Sequence, residues 1–398
     1  MLALCVTLGL LLGEEDSFVL RAQRILPVTA PPIDNGALLV RDGKIRAIGR
    51  ASEVAVPPGV RVLEYPNAWV FPGLIDLHHH IEAGGGDIND MVHPLNAELR
   101  TFDLVRPDHP YMKESLSGGV TAALFIPGSG TNLGGFGALC KLAGRDKEAM
   151  ILRRLGGMKV AQAFNPERDS GDMGATRMGM SWNLYQLLDR ARRYSEDWRR
   201  FQAGQGPSKP QLRPELEQLR ALFERRCPVL IHTAGARDVI ATARMFHDTF
   251  GLWMILSHGC FDGWRAAYAL ASRRIPVNLG PRNYQLTFEG RFEGVPASYW
   301  QQGCQDLSLN TDAPVVVPEE LFLQGTMAVR LGLPWEVALR ALTIAPARQV
   351  GIADRLGSLE PGKDADFVVK AGEPLDPASP VECVFIDGRV VYRKGDVP

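Results

Sequence analysis

The chain has 398 residues, 45% hydrophobic and 22% charged, with 44 Lys and Arg against 45 Asp and Glu. A formal net charge of −1 excludes the strongly basic surface of a nucleic-acid binder, and no apolar run reaches the ~18–20 residues of a membrane-spanning helix. The apolar content is that of an ordinary globular chain, long enough for a closed α/β barrel of about 250 residues with a smaller module beside it.

Residues 2–13 are almost unbroken apolar sequence, followed by Glu14, Glu15 and Asp16. They resemble the hydrophobic region of a secretory signal, without its basic start or a small-x-small cleavage site. Residues 1–13 are therefore read as either a signal segment or a loosely docked N-terminus, and both an exported and a cytoplasmic location stay open. Residues 18–21, 36–40 and 44–48 read as short strands, with Asp42-Gly43 between the last two. An Asp-Gly pair between alternating apolar residues marks a tight hairpin, because both turn positions need positive φ. The C-terminus repeats the device: a strand at 366–370, then 384–386, Asp387-Gly388 and 390–392. Both termini are expected to build one small β-sandwich domain, residues 14–66 with 349–398, around an inserted domain, 67–348.

Within the insertion, apolar runs suited to buried parallel strands occur at 68–77, 121–126, 137–142, 157–161, 228–231, 252–256, 275–279 and 307–309. Eight such strands close a (β/α)8 TIM-type barrel, so the expected class is α/β. The weakest connection is the second, barely long enough for a crossover. Glycine-rich residues 127–137 read as either a loop over the site or a wide turn. They are not a phosphate loop, because no Gly-Lys-Ser/Thr follows. The Arg-rich segment 182–226, broken at 204–210, is expected to form two exposed helices. Six cysteines include no Cys-x-x-Cys pair, so neither a thiolate zinc site nor a redox motif is expected.

Three of the eight histidines are consecutive, His78-His79-His80, and they end the first apolar run. Alternate side chains of a strand share a face, so His78 and His80 can point together while His79 points away. Two imidazoles so placed make half of a divalent-metal site. His232, His258 and Asp312 also follow apolar runs, at the strand ends where barrel enzymes place their chemistry. Lys159 lies in the fourth run. It reads either as a surface lysine or as one carbamylated by CO2, its carbamate bridging two metals. The second reading needs a neutral amine, which burial and nearby cations favour.

The segment 71–80, Phe-Pro-Gly-Leu-Ile-Asp-Leu-His-His-His, resembles the first-strand motif of the metal-dependent amidohydrolase superfamily. Residues 341–348 resemble its final barrel helix, and 357–366 its return into the β-domain. The likeness runs from about 17 to 394 and is closest to the imidazolonepropionase-related branch. It implies that His78, His80 and Asp312 bind one metal and His232 and His258 a second, with Lys159 bridging. Zinc is the expected ion, as one or two equivalents. The deaminase members carry a Glu two residues after the fifth-strand His. Here that position is Ala234, which favours a binuclear hydrolase.

The expected chemistry is hydrolysis of an amide-type C–N bond in a dipeptide, N-acyl amino acid or cyclic amide. A metal-bound hydroxide would attack, and Asp312 would carry the proton to the leaving nitrogen. A mononuclear imidazolonepropionase-like hydrolase or deaminase, and a non-catalytic scaffold, are the alternatives. Arg177, Asn283 and Tyr284 are the expected substrate-binding residues, and Arg282 is a further candidate for a substrate carboxylate. The expected partner is a small molecule, with no nucleic acid and no membrane span. Homo-oligomerisation is left open.

Overall fold

The computed structural model describes residues 17–80, 88–167, 174–206, 208–287 and 289–395. The expectation for residues 1–13 lies outside this set.

The strands β1 (Ser17–Ile25), β2 (Ile33–Arg41) and β3 (Lys44–Arg50) form an antiparallel meander. Asp42 and Gly43 take φ of 52° and 71° in its second turn, as the Asp-Gly signal requires. β4 (Arg61–Pro72) pairs parallel to β1, then enters the barrel through Gly73 and β5 (Leu74–His79). No side chain fits at Gly73, where a Cβ would lie 2.0 Å from Thr121 Oγ1. The barrel continues with β6 (Val120–Phe125), β7 (Leu133–Lys141), β8 (Ile151–Ala161), β9 (Val229–Thr233), β10 (Met254–His258) and β11 (Val277–Leu279). A surface hairpin, β12 (Tyr284–Leu286) and β13 (Phe292–Gly294), precedes the last barrel strand, β14 (Leu307–Leu309). β15 (Phe367–Lys370), β16 (Val381–Ile386) and β17 (Arg389–Arg393) return to the first sheet.

The terminal strands join in the order β17-β16-β15-β4-β1-β2-β3. The expected sandwich is thus one continuous sheet, because β4 pairs on one side with β1 and on the other with β15. It curls over a core that includes Phe18, Leu20, Phe367 and Phe385, with the last two rings stacked at 4.4 Å. The curl brings the two Asp-Gly turns together: Ala365 donates to Gly43, and Gly388 donates to Ala365. The domain junction expected at 66/67 falls inside β4, whose pairing runs on to Pro72.

The barrel order is β5-β6-β7-β8-β9-β10-β11-β14. Its third strand corrects the expectation of eight parallel strands. β7 runs antiparallel to both neighbours, because the links on either side of it are short turns without a crossover helix. The remaining pairs are parallel. Ile75, Leu77, Leu124, Leu139, Leu230 and Ile255 pack in the interior, and Ala347 and Val350 join the same cluster. Residues 127–132 form the buried turn into β7.

After β8 stands one 26-residue helix, Arg177–Gln202, followed by single turns at Pro214–Glu217 and Arg220–Phe223. The two exposed helices expected there are corrected to this arrangement. Thr176 caps the long helix through its hydroxyl, which accepts from the Gly179 amide at 3.3 Å. Met180, Leu184, Leu187, Leu188, Ala191 and Tyr194 form a buried stripe at helical spacing. Among the described residues no helix is long and apolar enough to cross a membrane.

Candidate metal centre

The six residues singled out as ligands converge at the strand ends of the barrel. His78 and His80 bracket His79 at the end of β5, and their rings stand nearly perpendicular, 4.9 Å apart. His78 Nε2 lies 3.3 Å and His80 Nε2 3.2 Å from Asp312 Oδ1. These three ligand atoms lie within 4.8 Å of one another. The His258 ring is 4.3 Å from that of His78 and 4.5 Å from that of His232. Lys159 Nζ, on β8, is 2.9 Å from His78 Nε2. His79 turns away, with Nε2 3.4 Å from Ser115 Oγ. Strand alternation therefore sorts the triplet as expected.

Two of these residues hold an uncommon backbone shape. His258 has φ of 68° and Asp312 φ of 50°, in the left-handed region that non-glycine residues seldom adopt. His258 is the last residue of β10, and Asp312 lies three residues past the end of β14, so both bends fall at or just beyond the strand ends. Strain of this kind persists where the surrounding structure over-determines it.

Each histidine of the cluster is gripped at Nδ1. His80 Nδ1–H donates to Ile126 O at 2.9 Å and His258 Nδ1–H to Gly280 O at 2.7 Å. Those bonds leave Nε2 as the lone-pair nitrogen. His78 Nδ1 lies 2.6 Å from Ser257 Oγ, and His232 Nδ1 lies 3.0 Å from Ser129 Oγ. His258 Nε2 is buried with no hydrogen-bond partner among the described residues. Imidazoles oriented through Nδ1, with a carboxylate between two of them and a buried lone pair unused, are what a divalent cation requires. The donor set fits a metal of the zinc type.

The electrostatics agree. Burial holds the His78 and His232 imidazoles well below their usual pKa, and neighbouring His258 and Lys159 push the same way. Burial likewise lowers His258, against the pull of Asp312. Burial brings the Lys159 ammonium down to about 7, with Asp312 opposing. The centre is therefore rich in neutral nitrogen lone pairs near neutral pH, the state that binds metal. Burial alone would raise the Asp312 carboxyl, but His258, His80 and Lys159 hold it below the ordinary carboxylate range.

The centre opens into a cavity of about 230 Å³ lined in part by Phe164, His232, His258, Phe261, Arg282 and Asp312. A larger cleft of about 460 Å³ adjoins it and shares Phe261, Pro281 and Arg282. The residues expected to bind substrate are placed differently. Arg177 is paired, its Nε 3.1 Å from Glu167 Oε1 and its Nη2 3.7 Å from Asp238 Oδ2, so its charge is already answered. Asn283 is buried and donates its amide to the Gln324 carbonyl at 3.0 Å and to the Gln324 side chain, bracing the cleft wall. Tyr284, half exposed on β12, lines the cleft and packs on Phe292 at 5.6 Å. Ser129, Ser257, Asp76 and Thr311 are parts of the site that sequence reasoning missed. Ser257 precedes His258, but nothing in the sequence joins it to His78.

The Amidohydrolase family model matches residues 302–391. The chain is 28% identical to the amidohydrolase tasK of Hapsidospora irregularis over 90% of its length, and spans 40% of that longer protein. It is 24% identical to an imidazolonepropionase of Mesorhizobium japonicum over 89% of each chain. Its fold is similar to the crystal structure of an amidohydrolase from Thermotoga maritima, with TM-score 0.85, 28% identity, and coverage of 95% of this chain and 100% of that one. With the barrel, the terminal sheet and the histidine–aspartate cluster in place, the likeness is one of whole architecture: the chain is similar over nearly its full length to an amidohydrolase of known structure and to imidazolonepropionases, and its C-terminal part matches the Amidohydrolase family model.

Proposed function

We propose that this protein hydrolyses an amide-type C–N bond of a small acyl-amino compound, with Asp312 as the group that moves the proton. The observation that carries the reading is the convergence of His78 Nε2 and His80 Nε2 on Asp312 Oδ1 beneath an open cavity. His78, His80 and Asp312 would hold one divalent ion, and His232, His258 and Lys159 would supply donors for a second. Such an ion supplies Lewis acidity and brings the pKa of water from about 16 toward 7.

The chain's own groups do the rest. Asp312, ionised at neutral pH, can take a proton from water at Oδ1 and return it to the departing nitrogen, which leaves as a neutral amine. The Nδ1 contacts of the four histidines keep their rings from turning during that exchange. A neutral Lys159 amine is also the form that adds CO2, giving a carbamate and releasing one proton, which would turn the lysine into an anionic bridge. The residue after Thr233 is Ala234, so the acid/base Glu of the deaminases has no counterpart there. This favours hydrolysis of an amide over deamination.

The test is elemental analysis of purified wild type beside Lys159→Ala, followed by a screen of dipeptides, N-acyl amino acids and cyclic amides. Two equivalents of zinc, manganese or iron that fall on substitution, with amine release from an acyl-amino substrate, are expected. One equivalent indifferent to Lys159 would move the assignment to a mononuclear enzyme. No metal after reconstitution would remove the catalytic reading and leave a scaffold.

A further inference from the structure

Two guanidiniums lie near the mouth of the centre, and their situations are opposite. Arg177 is held by Glu167 and Asp238. Arg282 is exposed and has no carboxylate partner among the described residues. Its guanidinium carbon stands 5.5 Å above the Phe261 ring. Arg282 lies two residues past Gly280, whose carbonyl fixes His258, so the same loop that orients a candidate ligand presents this charge.

We infer that Arg282 selects substrates carrying a carboxylate on the amine side of the scissile amide, and that the adjoining cleft takes a large apolar side chain next to it. This rests on the proposed amide hydrolysis and narrows its substrate class to N-acylated or N-terminally extended apolar and aromatic amino acids.

Position comes first. Arg282 and Phe261 line both the cavity that holds Asp312 and the larger cleft, so a ligand reaching from the centre into the cleft passes them. Charge comes second. Among the described residues, and apart from the cluster histidines, Arg282 is the one basic side chain lining the two cavities, which matches a monoanion rather than a phosphate ester. A guanidinium pairs with a carboxylate through two parallel hydrogen bonds, and here the Phe261 ring supports one of its faces. Shape comes third. Beyond Arg282 the cleft wall is Tyr284, Leu286 and Met327, each at least 40% exposed, an apolar surface that an aromatic or branched side chain would cover.

Binding separates this inference from turnover. The probes are N-methylsulfonyl-L-phenylalanine and its C-terminal carboxamide, in which a sulfonyl group stands where the scissile carbonyl would be. Calorimetric titration of the metal-loaded wild type is expected to show the acid binding roughly tenfold or more tighter than the carboxamide. In Arg282→Gln that preference is expected to fall to about one- to twofold, and Arg282→Lys is expected to recover part of it. Equal affinity of the two probes for wild type, a preference that survives Arg282→Gln, or binding of neither probe at millimolar concentration overturns the inference. Hydrolysis of N-acetyl-L-phenylalanine is scored separately. An Arg282-dependent preference without amine release would count against the proposed hydrolysis and leave the anion site standing.

Discussion

Asp76, buried in β5, accepts two hydrogen bonds from Thr311, at 2.5 Å from its hydroxyl and 3.2 Å from its backbone amide, both to Oδ2. Its other oxygen accepts from the His78 amide at 3.0 Å. The barrel seam between β5 and β14 is otherwise bridged at His79 and Ala313. Asp76 thus joins the residue before one candidate ligand, Asp312, to the backbone of another, His78. Thr311→Val removes the hydroxyl and leaves a buried carboxyl short of a donor, at an expected cost of about 1–3 kcal/mol. Urea unfolding measures that loss. Metal affinity, titrated with a chelator, is expected to fall with it, and unchanged affinity would show that the seam does not position Asp312.

Lys159 ties the stability of the metal-free protein to pH. Its folded value of about 7 lies below the ordinary 10.5. Between those values the unfolded chain holds a proton that the folded chain has released, so stability rises with pH across the window. Below pH 7 the whole cost of burying the ammonium is present, on the order of 5 kcal/mol. Lys159→Met is expected to remove that cost, so metal-free mutant and wild type converge as pH rises from 7 to 10. Unfolding curves of the two proteins at pH 7, 8 and 9 measure it, and a constant difference would contradict it.

The serine contacts of the histidines predict graded metal loss. Ser257 touches His78 Nδ1 and Ser129 touches His232 Nδ1. Groups that orient a ligand histidine typically contribute 10–100-fold in metal affinity. Ser257→Ala is expected to weaken binding of the ion proposed for His78, His80 and Asp312 by about that factor. Ser129→Ala is expected to act on a second ion alone. Metal titrations of both variants decide whether the two halves are separable.

A second cluster locks the barrel to the terminal sheet. Lys141 of β7 reaches Asp364, Asp366 and Asp387 at 2.9, 2.9 and 2.7 Å, and Arg355 and Lys44 also pair with Asp364. Lys141→Met would leave the buried carboxylates short of their shared cation, at an expected cost of about 3–5 kcal/mol. Burial raises Asp366 from 3.8 to about 6 against the pull of Lys141. Between pH 3.8 and 6 the folded state therefore keeps a proton that the unfolded state has lost, and this group's contribution falls as pH rises. Asp366→Asn is expected to flatten that part of the profile, which unfolding at pH 4, 5 and 6 would show.

Most of the strands, the sorting of His78 and His80 from His79, and the placement of His232, His258 and Asp312 after apolar runs were legible in the amino-acid order, although the β12–β13 hairpin and the break at Gly73 between β4 and β5 were not. Each legible feature is a local property: the two-residue period of a strand, the positive φ of an Asp-Gly turn, the burial of a continuous apolar run. Tertiary structure alone decided that β7 runs backwards, since a short apolar run carries no direction and only its partners set one. It also decided that Arg177 is neutralised while Arg282 stands without an acid, because ion pairing depends on what other segments bring alongside. The contacts of Asp76 with Thr311 and of Ser257 with His78 span 235 and 179 residues. No pattern in the chain announces such pairs; closing the barrel creates them, by bringing the ends of strands far apart in sequence into one buried space.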